Sequence, residues 1–479
     1  MKAMQNAGAV ALLIIAVGVG SAALPAQAAV SSSAIAAYSI AAPISTAPSG
    51  LVARAIVAAG VDCPTLDVTS VGGATRSITM RERPRPARTS PAFDSLTVCS
   101  SVMPRGSVSA SIEGRPIPAR MPARTTRLAL MGDSGCRISA RQVQDCADPD
   151  EWPLARIASE IAKERPDAII MNGDYFYREA PCPAADQALC GSSPSPVTGM
   201  PFTDSAYGWL ADAFLPMAPM LSVAPLVAIR GNHEACYRGG NGYFYFLDPR
   251  EGTSGACAPI DVNGTLTAAP TLPSDTYAID LPVTTGRTLR LAVVDSAGGN
   301  DAVVEAYAAI QRPAYAKAAA LTAPRAGRES WLVTHRPIFG ILPTVFATPG
   351  QPFSQWSSYD QGAAAYGLLD SYDMIFSSHQ HLAQAVQLPG QPGQLILGNA
   401  GTELDPTIGY SLPTTAYTVG EGKTYPMPSW AWVDVTFGYA MATPNETAGS
   451  WRLDMKGTDG SRFARCGVRD RSLYCATAQ

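Results

Sequence analysis

The stretch DAIIMNGDYFYR, residues 167–178, decides the reading of this chain. Residues 167–172 are a short, mostly apolar run of the kind that forms a strand buried on both faces, and an abrupt Gly173-Asp174 ends it. Just upstream, Trp152, Leu154, Ile157, Ala158 and Ile161 fall on one face of a helix over 150–164, with Pro153 near its start and Pro166 just beyond its end. A helix feeding a buried strand is half of a βαβ unit, and the pattern recurs. Strands are expected at 127–131, 225–230, 290–295, 330–334 and 373–378, and helices at 205–221, 302–320 and 361–370. The class is therefore α/β with a mainly parallel sheet. The segments WAWVDVTFG (430–438) and SWRLDMKG (450–457) return to strand and are expected to complete a second sheet.

Polar motifs sit where five of these strands end: GDSG (132–135), GDYFY (173–177), GNHE (231–234), THRP (334–337) and SHQH (378–381). In open α/β sheets ligands bind at that edge, and glycine lets the backbone turn closely beside them. A lone histidine is usually a surface or core residue. Here the whole chain has four, His233, His335, His379 and His381, and all lie inside these motifs. With carboxylates Asp133 and Asp174, the amide oxygen of Asn232 and the phenol of Tyr177, the imidazoles of His335, His379 and His381 form a donor set suited to Fe, Zn or Mn. Asp before a helix is also a common cap, so Asp133 and Asp174 take their weight from the set. Asp174, central in the order, is the natural bridge between two ions about 3.5–4 Å apart. Arg137, Arg178 and Arg336 accompany the motifs and offer forked donors to a phosphate. Glu234 is expected to orient His233.

The remainder bounds the setting. Lys2, an apolar run over 7–23 and Ala26-Gln27-Ala28 read as a secretory signal over 1–28, leaving a mature chain without a membrane span. Ten cysteines in an exported chain favour disulfides. Their spacing suggests neighbours: Cys63 with Cys99, Cys136 with Cys146, Cys182 with Cys190, Cys236 with Cys257, and Cys466 with Cys475. Sequence alone leaves the connectivity open. Residues 29–50, rich in Ala, Ser and Pro, read as a flexible leader, and 51–124 as a β-rich accessory region. A net charge of -4 with 15% charged residues offers no basic surface for nucleic acid.

The motif order resembles the calcineurin-like metallophosphoesterases, and more narrowly the purple acid phosphatases, whose pattern runs GDxG, GDxxY, GNH[DE], VxxH, GHxH. The chain departs from it with Leu332 in the fourth motif and Ser378 in the fifth, neither a ligand position. GDSGCR, GDYFYRE and RGNHE also look like the wording of a group of exported bacterial phosphoesterases. The resemblance covers 126–405 and implies a four-layer αββα sandwich over 125–479, with the small β-rich region before it. By position, Asp133, Tyr177 and His381 would hold an iron-type ion and Asn232, His335 and His379 a second ion (Zn, Mn or Fe), with Asp174 bridging. His233 would face the substrate as proton donor. The implied activity is hydrolysis of a phosphate ester, a monoester first, in the periplasm or outside the cell. The rival readings are a phosphodiesterase with two divalent ions, and a catalytically silent metal- or phosphate-binding protein on the same fold.

Overall fold

Successive side chains of a strand point to opposite faces, and along Leu128–Met131 and Ala168–Met171 that alternation builds two different cores. Leu128, Leu130, Ala168 and Ile170 join one buried cluster, while Ala129, Met131, Ile169 and Met171 join another. The computed structural model describes residues 33–85, 92–191, 204–250, 257, 273–299, 301, 305–342, 356–405, 412–413, 415–420 and 422–477. The expected signal at 1–28 lies outside them, as do parts of the long connections after 191, 250 and 342.

The first cluster lies between two sheets. An eleven-stranded sheet carries the parallel trio Leu128–Met131, Ala168–Met171 and Leu226–Ala228 near its middle. Facing it is a seven-stranded sheet in which Arg287–Val294, Arg328–Thr334, Met374–Ser377 and Gly393–Leu397 run parallel. Leu291, Trp331, Val333, Met374 and Phe376 meet Leu130, Ile170 and Val227 across the gap. On the outer face of the larger sheet, helix Leu154–Glu164 packs through Leu154, Ile157, Ala158 and Ile161. On the outer face of the smaller, helix Glu305–Leu321 packs through Ala308, Tyr315 and Ala318. The order helix, sheet, sheet, helix is the four-layer sandwich, and it aims the C-terminal ends of both parallel cores at one edge.

Four expectations need correction. Ala34–Ala41, inside the stretch read as a flexible leader, is a buried strand paired with Leu51–Ala58 and, in parallel, with Leu226–Ala228. The β-rich region is no separate body: Leu51–Ala58 and Leu96–Val102 extend the large sheet, and only Thr65–Ser70, Thr75–Thr79, Ser107–Ile112 and Arg115–Ile117 form a small sheet of their own. Of the C-terminal segments, Trp430–Asp434 joins the seven-stranded sheet, but Trp451–Gly457 joins the other one. The helix expected at 205–221 is broken into Ala206–Trp209, a wide turn at Leu210–Phe214, and Ala218–Leu221. Pro216 and Pro219 have no amide N–H with which to continue the ladder. All five neighbour disulfides are formed.

Candidate metal centre

The five motifs converge. Asp133 follows Leu128–Met131, Asp174 and Tyr177 follow Ala168–Met171, and Asn232 and His233 follow Leu226–Ala228, so every oxygen-bearing member comes from the large sheet. His335 follows Arg328–Thr334, and His379 and His381 follow Met374–Ser377, so the three remaining imidazoles come from the small one. Asp133, Asp174 and His379 hold φ angles of 54°, 55° and 76°, the left-handed region that side chains other than glycine's rarely adopt. Such strain persists only where the surroundings impose it. Gly231 leaves the room required: a Cβ there would overlap the Asp174 carboxylate.

The polar atoms crowd together. Tyr177 Oη lies 2.8 Å from Asp174 Oδ2, 3.2 Å from Asp133 Oδ1 and 2.9 Å from His381 Nε2. Asn232 Oδ1 lies 2.7 Å from both His335 Nε2 and His379 Nδ1, and Asp174 Oδ2 is 3.3 Å from His335 Nε2. Donor atoms of Asp174, His335 and His379 all fall within 4.8 Å of one another. One phenolic proton cannot serve three acceptors.

The outer ring nitrogens fix the inner ones. His335 Nδ1 is 2.8 Å from the Asn172 carbonyl, His381 Nδ1 is 2.8 Å from the Glu403 carbonyl, and His379 Nε2 is 2.9 Å from Asp301 Oδ1. Each therefore hands its N–H outward and turns a lone pair inward, the arrangement of a metal-binding imidazole. A lone pair of His335 then faces the proton-free Asn232 oxygen at 2.7 Å, a contact that only a cation or an added proton makes favourable. The charge balance agrees. Burial opposes charge on His335, yet Asp174 outweighs it and raises the imidazole pKa to about 9. Burial, with Asp174 and Asp133, pushes the Tyr177 phenol well up. The donor set fits positively charged metal.

Other candidates take different places. Glu234 does not touch His233: its carboxylate accepts the backbone N–H groups of Asp174, Tyr175, Phe176 and Gly231 at 2.8–3.1 Å, clamping two motifs together. His233 is oriented by Glu179, whose Oε1 is 2.9 Å from its Nδ1, and its ring stacks on Tyr177 at 3.6 Å between centroids. Burial, then Arg238, lowers the His233 pKa to about 4. Arg178 is fully buried, paired with Asp212 at 2.7 Å and donating to the Cys190 carbonyl, so it cannot meet an incoming phosphate. Arg137 and Arg336 stay at the site, beside His381 and His379.

Sequence reasoning missed Glu179, Asp212, Arg238, Asp301 and Asn172. Glu179 and Arg238 carry a weak signal, each five residues beyond Asp174 or His233 in the same loop. Asn172 joins the sheets: its amide donates to the carbonyls of Thr334 and Phe376 at 3.2 and 3.0 Å.

No curated protein sequence matches the chain. Among the solved structures that share its fold are a purple acid phosphatase and PhoD. Purple acid phosphatase PPD1 from yellow lupin (Lupinus luteus) seeds is 13% identical, with 88% of this chain and 72% of that one covered and a TM-score of 0.50. PhoD is 11% identical, with 94% and 93% covered and a TM-score of 0.55. The sequence profile of calcineurin-like phosphoesterases matches residues 126–383, a span that starts just before the Asp133 strand and takes in all five motifs. Over more than half its length, and at all five motif loops of the candidate centre, the chain belongs to the calcineurin-like phosphoesterase family.

Proposed function

We propose that this protein is an exported phosphatase that hydrolyses phosphate monoesters at a two-metal centre. The observation that carries this reading is the outward hydrogen bonding of His335, His379 and His381, which leaves three imidazole lone pairs directed at the oxygens of Asp133, Asp174, Tyr177 and Asn232. Asp133, Tyr177 and His381 would hold one ion, Asn232, His335 and His379 the other, and Asp174 both. Fe with Zn, Mn or a second Fe suits these donors. Bound there, the ions would supply Lewis acidity and a lowered water pKa. The chain's own residues do the rest. His233, steadied at Nδ1 by Glu179 and by its stack on Tyr177, serves the leaving oxygen as proton donor in its protonated form, which its lowered pKa of about 4 confines to acidic conditions. Glu234, through four backbone N–H groups, holds Asp174 and Asn232 in register. Five disulfides support the exported setting, and no helix among the described residues is long and apolar enough to cross a membrane.

The test is metal analysis of purified protein together with hydrolysis of 4-nitrophenyl phosphate and bis(4-nitrophenyl) phosphate. Two ions per chain and a preference for the monoester are expected. A fully loaded protein that cleaves neither ester would leave it a silent binder.

A further inference from the structure

Three guanidinium groups rim the centre, each beside a different imidazole. Arg238 Nη2 is 3.0 Å from His233 Nε2, Arg336 Nη1 is 2.9 Å from His379 Nε2, and Arg137 Nη2 is 3.3 Å from His381 Nδ1. Their counter-charges differ. Arg238 makes a two-pronged ion pair with Glu179, and Arg336 is paired with Asp301. Arg137 has no carboxylate within ion-pair distance among the described residues, and its buried Nε has no acceptor. Its guanidinium lies over the Tyr177 ring, 5.3 Å from the centroid. The nearby His381 Nδ1 gives its proton to Glu403 and offers Arg137 nothing to bind.

This cation is also well anchored at its base. The Arg137 amide donates to Gln144 Oε1 at 3.0 Å, and the Cys136–Cys146 disulfide closes the loop around it. Ile138 bridges to both Val143 and Arg178. A half-buried arginine on a stapled loop is already ordered, so less freedom is lost when an anion engages it.

We infer that Arg137 sets the preference for monoesters, an inference that rests on the two-metal phosphoesterase reading. A phosphate monoester carries three non-bridging oxygens and two negative charges at neutral pH; a diester carries two oxygens and one charge. The third oxygen needs a donor and the second charge a counter-ion, and Arg137 is the arginine at the rim that supplies both without first giving up a carboxylate. A forked, charge-assisted contact is the strongest the chain can offer there.

The experiment compares kcat/KM for 4-nitrophenyl phosphate and bis(4-nitrophenyl) phosphate in wild type, Arg137→Ala and Arg137→Lys, with orthophosphate affinity measured by calorimetry. Arg137→Ala should lower monoester turnover about 100-fold, the lower range for losing one donor to a developing anion, and diester turnover no more than about threefold. Orthophosphate affinity should fall about tenfold, as for one charge-assisted hydrogen bond, and Arg137→Lys should recover part of both losses. Equal losses for the two esters at unchanged metal content would overturn the inference, as would an unchanged ratio or a wild type that prefers the diester. Should wild type cleave neither ester, the phosphoesterase reading fails, and orthophosphate binding still decides whether Arg137 receives phosphate. If Arg137→Ala does not fold, Arg137→Gln carries the same comparison.

Discussion

The two sheets build the centre in different ways. From the eleven-stranded sheet come the oxygens of Asp133, Asp174, Tyr177 and Asn232; from the seven-stranded sheet come the nitrogens of His335, His379 and His381. The oxygen side is stapled. Cys136–Cys146, Cys182–Cys190 and Cys236–Cys257 each follow one of its motifs, and two buried carboxylates, Glu234 and Asp212, gather its backbone N–H groups. The nitrogen side has no cysteine anywhere between 257 and 466. It is aligned by single hydrogen bonds from each imidazole to Asn172, Asp301 or Glu403. Electrostatics accounts for the difference. Carboxylates repel one another until a cation arrives, so the loops that bear them need restraint from elsewhere. Imidazoles ligate as neutral rings and need only the correct tautomer.

The most damaging way to break this division is Asp174→Asn, since Asp174 touches residues of both sides. Hydrolysis should fall on the order of 1,000-fold, the upper range for removing one key stabilising group, with metal lost from both halves on elemental analysis. Retention of two ions and of activity would remove Asp174 from the bridge. Asp301→Asn probes the nitrogen side alone: metal affinity should weaken about 10–100-fold, as for other outer partners of ligating histidines. Occupancy should drop towards one ion per chain while thermal stability holds, because Asp301 is half exposed. Loss of both ions would erase the proposed separation.

Glu234→Gln probes the oxygen side in the opposite currency. An amide nitrogen would face N–H donors that the carboxylate now accepts, costing about 1–3 kcal/mol, read from the denaturant midpoint of metal-free protein. An unchanged midpoint would mean that the clamp is incidental. The smallest effect belongs to Ser378→Gly. The Ser378 hydroxyl donates to the Asn172 carbonyl at 2.5 Å, alongside His335, and its loss should cost about 1 kcal/mol with metal content intact. A larger loss, or a vacant ion position, would make the imidazole side more dependent on that hydroxyl than the geometry indicates.

The motif-bearing strands were legible because a strand covered on both faces reads as an unbroken apolar run, and each run ends abruptly in Gly-Asp, Gly-Asn or His. The strand Ala34–Ala41 is covered in the same way, but AIAAYSIA is built of small residues and gives little contrast with the segment around it. Its place in the sheet becomes evident only from partners 10 to 186 residues away. The ligand types were legible for their chemistry. Glu234, Asp212 and Asn172 were not, because they act on backbone atoms of distant loops, and no spacing rule marks a carboxylate that serves an amide. Arg178 shows the converse: adjacent to a motif and of the right charge, it is drawn inward by Asp212, which no local pattern reveals.

The strand Ala34–Ala41 has a further consequence, for the order in which the chain assembles. Its hairpin with Leu51–Ala58 can close as soon as both have been synthesised, but its other edge meets Leu226–Ala228, with Ile40 opposite Leu226. Until that later segment is made, an apolar strand waits with a row of unpaired amides, a template for any extended chain it encounters. Leu226–Ala228 leads directly into Asn232 and His233. The event that seals the earliest open edge thus also delivers the third motif to the centre, so closure of that edge and placement of the Asn232 loop are one step in time.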